Sequence, residues 1–110
     1  MREERGHLSE NITINEEYTL WGSIAGNVTV VKNGKFYHRG TIYGNLVVAK
    51  EGRCHIFGNI QGNLTVKEGA KVIHSGVLGG DAINLGGRLF IERESTVKGK
   101  VKTRSGETRT

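Results

Sequence analysis

Apolar and polar residues alternate along most of this chain, and the alternation returns at a fixed interval. In "GTIYGNLVVAKEGRCHIF", Gly40 to Phe57, one parity is held by Ile42, Leu46, Val48, Cys54 and Ile56. In the next stretch the same parity is held by Ile60, Leu64, Val66, Val72 and His74. A period of two predicts strands with one face buried. The β-branched residues suit strands, and the intervening Gly and Asn suit corners. No spacing of 3.6 persists long enough for a helix.

The alternation sits inside a repeat of eighteen residues. Gly22, Gly40, Gly58 and Gly76 form one series and Gly26, Gly44, Gly62 and Gly80 a second, each at steps of eighteen. Ile24, Ile42, Ile60 and Leu78 fall between them. Asn27, Asn45, Asn63 and Asp81 follow, then Val28, Leu46, Leu64 and Ala82. One such unit cannot cover its own apolar face, so copies must stack. The expected fold is all-β: a single-stranded parallel β-helix with triangular coils of eighteen residues. Roughly five to six coils are expected at about 4.8 Å per coil. The spacing places a short N-terminal tail at 1–10, the β-helix at 11–103 and a polar tail at 104–110. "NITI" at Asn11–Ile14 leads the next copy by sixteen residues, and "TVKGKVKT" at Thr96–Thr103 comes one residue late. Irregular end units are expected in a stack.

A period of six runs through the same positions. Ile24, Val30, Phe36, Ile42, Val48, Cys54, Ile60, Val66, Val72 and Leu78 are six apart. This resembles the hexapeptide repeat of left-handed β-helix acyltransferases. Three hexads make eighteen, so both periods predict a triangular coil, and spacing leaves the hand open.

Three sets of residues stand out on this frame. Asn27, Asn45, Asn63 and Asp81 predict a structural corner ladder, since Asn tolerates left-handed angles and stacked side chains can bond along the axis. The Gly26 series, on inward parity, is expected to let the chain cut that corner. Lys35, Arg53, Lys71 and Arg88 predict an outward basic ladder, with Tyr37, His55 and Phe90 two residues further on. The ends form the third set, because a solenoid end is an open sheet edge over an exposed core. Ile12, Ile14, Leu20 and Trp21 hold the apolar area near the first end, and Val97 and Val101 hold it at the other. These six are the candidate polymerisation interface.

Charge and composition narrow the function. The 110 residues carry a net charge of +5, with 17 Gly, no Pro and one Cys. Such a length allows one domain. The positive balance admits a basic interaction module for nucleic acid or anionic membrane, although no specific nucleic-acid partner is expected. A single Cys excludes an internal disulfide and fits a reducing compartment. Cys54 has inward parity and reads as a small buried hydrophobe. No secretory h-region and no eighteen-residue apolar run appear, so a cytoplasmic location is expected.

Candidate chemistry is sparse. His38 and His74 share a repeat position two coils apart with Ile56 between them, and His55 has the opposite parity. That arrangement does not assemble a tetrahedral zinc site. No nucleophile triad, paired carboxylates or phosphate loop stands out, and no cofactor is expected.

The copies "GSIAGNV", "GTIYGNL" and "GNIQGNL", the weaker "GVLGGDA" and the late "TVKGKV" resemble the bactofilin family of polymer-forming bacterial cytoskeletal proteins. The resemblance spans about Asn11 to Thr103. It implies a right-handed β-helix that polymerises end to end without nucleotide. It also implies a homopolymer in the bacterial cytoplasm, peripheral to the inner membrane in some relatives, with cytoplasmic or cell-envelope proteins as partners. Many relatives carry an N-terminal membrane-targeting segment with an early aromatic residue. "MREERGH" has none, which argues against membrane association. The leading expectation is therefore a self-assembling scaffold and not an enzyme. The alternatives are a small hexapeptide-type acyltransferase or carbonic anhydrase-like enzyme, and the basic interaction module.

Overall fold

The computed structural model describes residues 2–110, and every regular element in them is a strand. The first turn of the chain comprises β1 (Arg2–Glu4), β2 (His7–Leu8) and β3 (Ile12–Ile14). The second has β4 (Glu17–Leu20), β5 (Ser23–Ile24) and β6 (Val28–Val30). The third has β7 (Lys35–His38), β8 (Thr41–Ile42) and β9 (Leu46–Val48), and the fourth β10 (Arg53–Ile56), β11 (Asn59–Ile60) and β12 (Leu64–Val66). The fifth has β13 (Lys71–His74), β14 (Val77–Leu78) and the start of β15 (Ala82–Ile91). The end of β15, then β16 (Thr96–Val97) and β17 (Val101–Arg109), complete the stack.

Each strand pairs in parallel with its counterpart one turn away, so the chain is a parallel β-solenoid with three strands per turn. The face made by β2, β5, β8, β11, β14 and β16 is a six-stranded sheet, which fixes the count at six turns. The other two faces join into one eleven-stranded sheet because β15 runs through the corner between them. Its first residues pair with β12 and its last with β13.

The register follows the eighteen-residue repeat in the middle and departs from it at both ends. Arg53 pairs with Lys35 and with Lys71, eighteen away on each side. At the start the offset is sixteen, as in Arg2↔Tyr18 and Ile12↔Val28. The cause is the corner Asn15–Glu16, two residues shorter than residues 31–34 in the next turn. Near the end, Lys71↔Arg88 is offset by seventeen and Val77↔Thr96 by nineteen. Residues 85–87 omit one corner residue, and 92–95 add two at the following corner.

Parity predicts the core correctly. All ten residues of the six-residue series are buried, from Ile24 to Leu78. Val28, Leu46, Leu64 and Ala82 complete a second column, and Tyr18, Phe36, Cys54, Val72 and Leu89 a third. The core is a stack of layers, mostly aliphatic, each side chain lying on its repeat equivalent. Burying one such Ile or Leu contributes roughly 1.5–3 kcal/mol.

The glycines are required along the axis. A Cβ on Gly58 would strike the carbonyl oxygen of Gly40 one turn away, and one on Gly62 would strike Asn45 Oδ1 and the Gly44 carbonyl. The expectation that the Gly26 series lets the chain cut an inward corner thus gives way to another cause. The turns stack so closely at these positions that no side chain fits between them.

The tails expected at 1–10 and 104–110 are also corrected. Residues 2–4 and 7–8 are strands paired with β4 and β5, and β17 continues to Arg109 along β15. Met1 lies outside the described residues. These segments are too polar to show apolar alternation, yet an adjacent sheet edge supplies backbone partners regardless of side chain.

Candidate functional site

The corner ladder is continuous. The side-chain oxygens of Asn11, Asn27, Asn45 and Asn63 each accept from the backbone N–H of the equivalent residue in the next turn, at 2.7–2.9 Å. Asp81 ends the series, its carboxylate accepting from the Lys100 N–H at 2.8 Å. Each bond satisfies an amide at a corner where the sheet is interrupted, contributing about 0.5–1.5 kcal/mol. Asn27, Asn45, Asn63 and Asp81 are thus structural, and Asn11 belongs with them.

The two histidines of the core are accommodated as neutral rings. His38 and His74 are fully buried, with Ile56 between them in register. His38 Nε2 donates to the Asn59 carbonyl at 2.8 Å, and His74 Nε2 to the Thr96 carbonyl at 2.9 Å. Both Nδ1 atoms are buried without a partner. Burial lowers His38 to about 4, against a smaller upward pull from the Asn59 carbonyl and a slight further lowering by His74. Burial lowers His74 as well. Cys54 is a buried free thiol, and burial pushes its pKa far up, which leaves it a poor nucleophile. Among the described residues no group of three His, Cys, Asp or Glu side chains is placed to hold a metal ion.

The basic ladder forms as a column. Lys35, Arg53, Lys71 and Arg88 are cross-strand neighbours and all exposed, with Glu17 before them and Glu107 after them. They line one wall of a longitudinal groove of about 600 Å³, floored by Gly34, Gly52, Ala70 and Gly87. The next outward column is Thr19, Tyr37, His55, Ile73 and Phe90.

The six residues assigned to the ends separate. Val101 is 43% exposed and Val97 half-buried, on inward columns of the last turn. Ile12 is half-buried in the first turn and lines an open recess of about 310 Å³ together with Leu8 and Ile14. Ile14 is itself only 1% exposed and Leu20 is wholly buried, under Glu4 of the first turn. Trp21 points sideways: Arg5 and Arg39 lie over its ring at 5.1 and 5.2 Å, and Nε1 donates to Glu3 Oε1. Leu20 and Trp21 therefore leave the candidate end set, because residues 2–8 form a further turn outside them. Leu8, which the sequence reading passed over, joins it.

A second feature was also missed. Trp21, Arg39 and Phe57 occupy one repeat position and stack along the axis, with the Arg39 guanidinium 4.3 Å from the Phe57 centroid and His55 on the same ring at 3.8 Å. The eighteen-residue spacing of these three residues was the available signal.

Fold and site together define a class: a parallel β-solenoid repeat protein, six turns in the described residues, with a sheet edge at each end of them and one basic, ring-bearing face. Compared with family models, curated proteins and solved structures, the chain finds no match.

Proposed function

We propose that this protein is a structural scaffold that assembles end to end through its terminal turns. The carrying observation is the exposed core at the last described turn, where Val101 and Val97 stand on inward columns with no turn above them among the described residues. Each interior turn has its apolar layer covered and its amides paired on both sides. A second copy stacked on this end would extend both sheets and cover both valines. The first turn offers a matching recess, with Leu8 and Ile12 at its base and Arg2, Glu4, Glu10 and Glu16 around it.

Charge supports a contact between unlike ends. Residues 2–17 carry five Glu against two Arg, whereas residues 93–110 carry six Lys and Arg against two Glu. Joining unlike ends places opposite charges together, and joining like ends repels. The resemblance of the Gly-x-Ile-x-Gly-Asn-Leu copies to bactofilins supports the same reading, and with it a nucleotide-independent cytoskeletal homopolymer in the bacterial cytoplasm.

Negative-stain microscopy and size measurement across concentration test the proposal. The parent chain should form filaments. Val97→Lys and Val101→Lys should stay folded, with β-rich circular dichroism, and elute as a monomer or a single dimer. Filaments from both variants like those of the parent would rule out assembly through this end.

A further inference from the structure

The solvent face of β7, β10 and β13 and of the end of β15 bears a pattern that end-to-end assembly does not use. Successive rungs read Lys35–Tyr37–Arg39, Arg53–His55–Phe57, Lys71–Ile73–Ser75 and Arg88–Phe90–Glu92. A cation stands at the start of every rung, and a ring stands two residues later in three of the four.

Arg53 and Lys71 have a cation on either side, and Glu17 and Glu107 stand only at the two ends of the column. Like charges directly opposite in a sheet are destabilising, and these four stand about 4.8 Å apart. Among the described residues the ion pairs are Arg2–Glu16, Lys32–Glu51 and Arg109–Glu107. None involves the ladder. Glu51, on the rim of the groove, is already paired with Lys32. The ladder thus sustains a repulsive column beside an open groove of about 600 Å³.

The rings beside it are placed to stack. His55, Phe57, Arg39 and Trp21 are ordered into one pile, with Trp21 42% and Phe57 38% exposed. Tyr37 and Phe90 are half-buried in the column next to the cations, and neither is stacked on another ring. A shallow recess of about 180 Å³ lies between Lys35, Arg53, Lys71 and the Tyr37–His55–Ile73 column. A row of cations with adjacent free rings is what a strand of phosphates and unpaired bases requires.

We propose that this face binds single-stranded nucleic acid without regard to sequence, with phosphates along Lys35, Arg53, Lys71 and Arg88 and bases against Tyr37 and Phe90. The four cations span about 14 Å, enough for a few nucleotides on one chain. The strand runs parallel to the solenoid axis, because both columns do. No base edge is read, since the ladder offers charge to phosphate and the rings offer faces common to every base.

Fluorescence anisotropy of a labelled oligothymidylate about fifteen nucleotides long tests this, at salt from about 50 to 200 mM. Arg53→Gln/Lys71→Gln should weaken binding about tenfold at the lower salt and reduce the log–log salt slope by about 1.4, two phosphate contacts at about 0.7 each. Lys98→Gln/Lys100→Gln removes the same charge from another corner and should change affinity by less than about twofold. Tyr37→Ala should weaken binding of the oligothymidylate but not of an abasic strand of equal length. Unfolding curves should show the ladder variant at least as stable as the parent. Should it fail to fold, Arg53→Gln alone carries the test, with a slope change of about 0.7. The proposal is overturned if the oligonucleotide does not bind at the lower salt or if both double variants weaken it equally. It is equally overturned if only phosphatidylserine vesicles bind in a ladder-dependent way.

Discussion

Acidification should unfold this protein through the two histidines of its core. In the folded chain His38 Nε2–H is committed to the Asn59 carbonyl, and Nδ1 is enclosed with no acceptor near it. Protonating Nδ1 would create a buried charge and a buried donor with no partner. Burial is why its pKa falls from 6.5 to about 4. Between those values the unfolded chain binds a proton that the folded chain refuses, so stability is complete above about pH 6.5 and is lost as pH falls toward 4. At about 1.4 kcal/mol per pKa unit, His38 accounts for about 3 kcal/mol over the whole window and about 2 kcal/mol by pH 5. His74 is lowered by burial too and acts in the same direction. The control is present in the chain itself, because Ile56 fills the same position between the two rings. Urea unfolding followed by circular dichroism, from about pH 7.5 down to pH 5, should show the parent losing stability steadily. His38→Ile/His74→Ile should be nearly flat over that range. At neutral pH the double variant should be the less stable, since each freed carbonyl costs about 1–3 kcal/mol. Parallel curves for parent and variant between about pH 6.5 and 5 would refute the reasoning.

Three further outcomes follow from the packing. Gly58→Ala should destabilise by several kcal/mol or block folding, because its Cβ overlaps the Gly40 carbonyl, which is held by the Asn59 N–H; a thermal melt unchanged from the parent would contradict the close stacking. Glu51→Gly should stabilise by about 0.5–1 kcal/mol in urea unfolding, because Glu51 sits at φ 64° where the next turn has Gly69 at φ 79°. The exposed Lys32 contact it gives up contributes little. Ile60→Asp should cost several kcal/mol by placing a carboxylate at a position 1% exposed, between Ile42 and Leu78; a soluble variant with parental melting would overturn the assignment of inside and outside.

The sequence by itself determined everything that the repeat enforces. Two-residue parity and the eighteen-residue period are properties of neighbours, and in a stack each residue's neighbour is its own equivalent one turn away. Ile24, Ile42, Ile60 and Leu78 could therefore be placed in one buried column before any coordinates, and Asn27, Asn45, Asn63 and Asp81 on one corner. The tertiary structure decided what the repeat does not constrain. Residues 2–8 lack the apolar alternation and still form strands, because the amides of β4 and β5 offer an edge to whatever chain lies beside them. That added turn buries Leu20, and Trp21 lies to the side between two guanidinium groups, so neither belongs to the proposed end contact. Linear spacing likewise could not reveal that His38 and His74 each donate to a carbonyl more than a full turn further on. At the ends and corners a residue has one neighbour or an irregular one, and there the backbone's demand for hydrogen-bond partners outweighs the side-chain pattern.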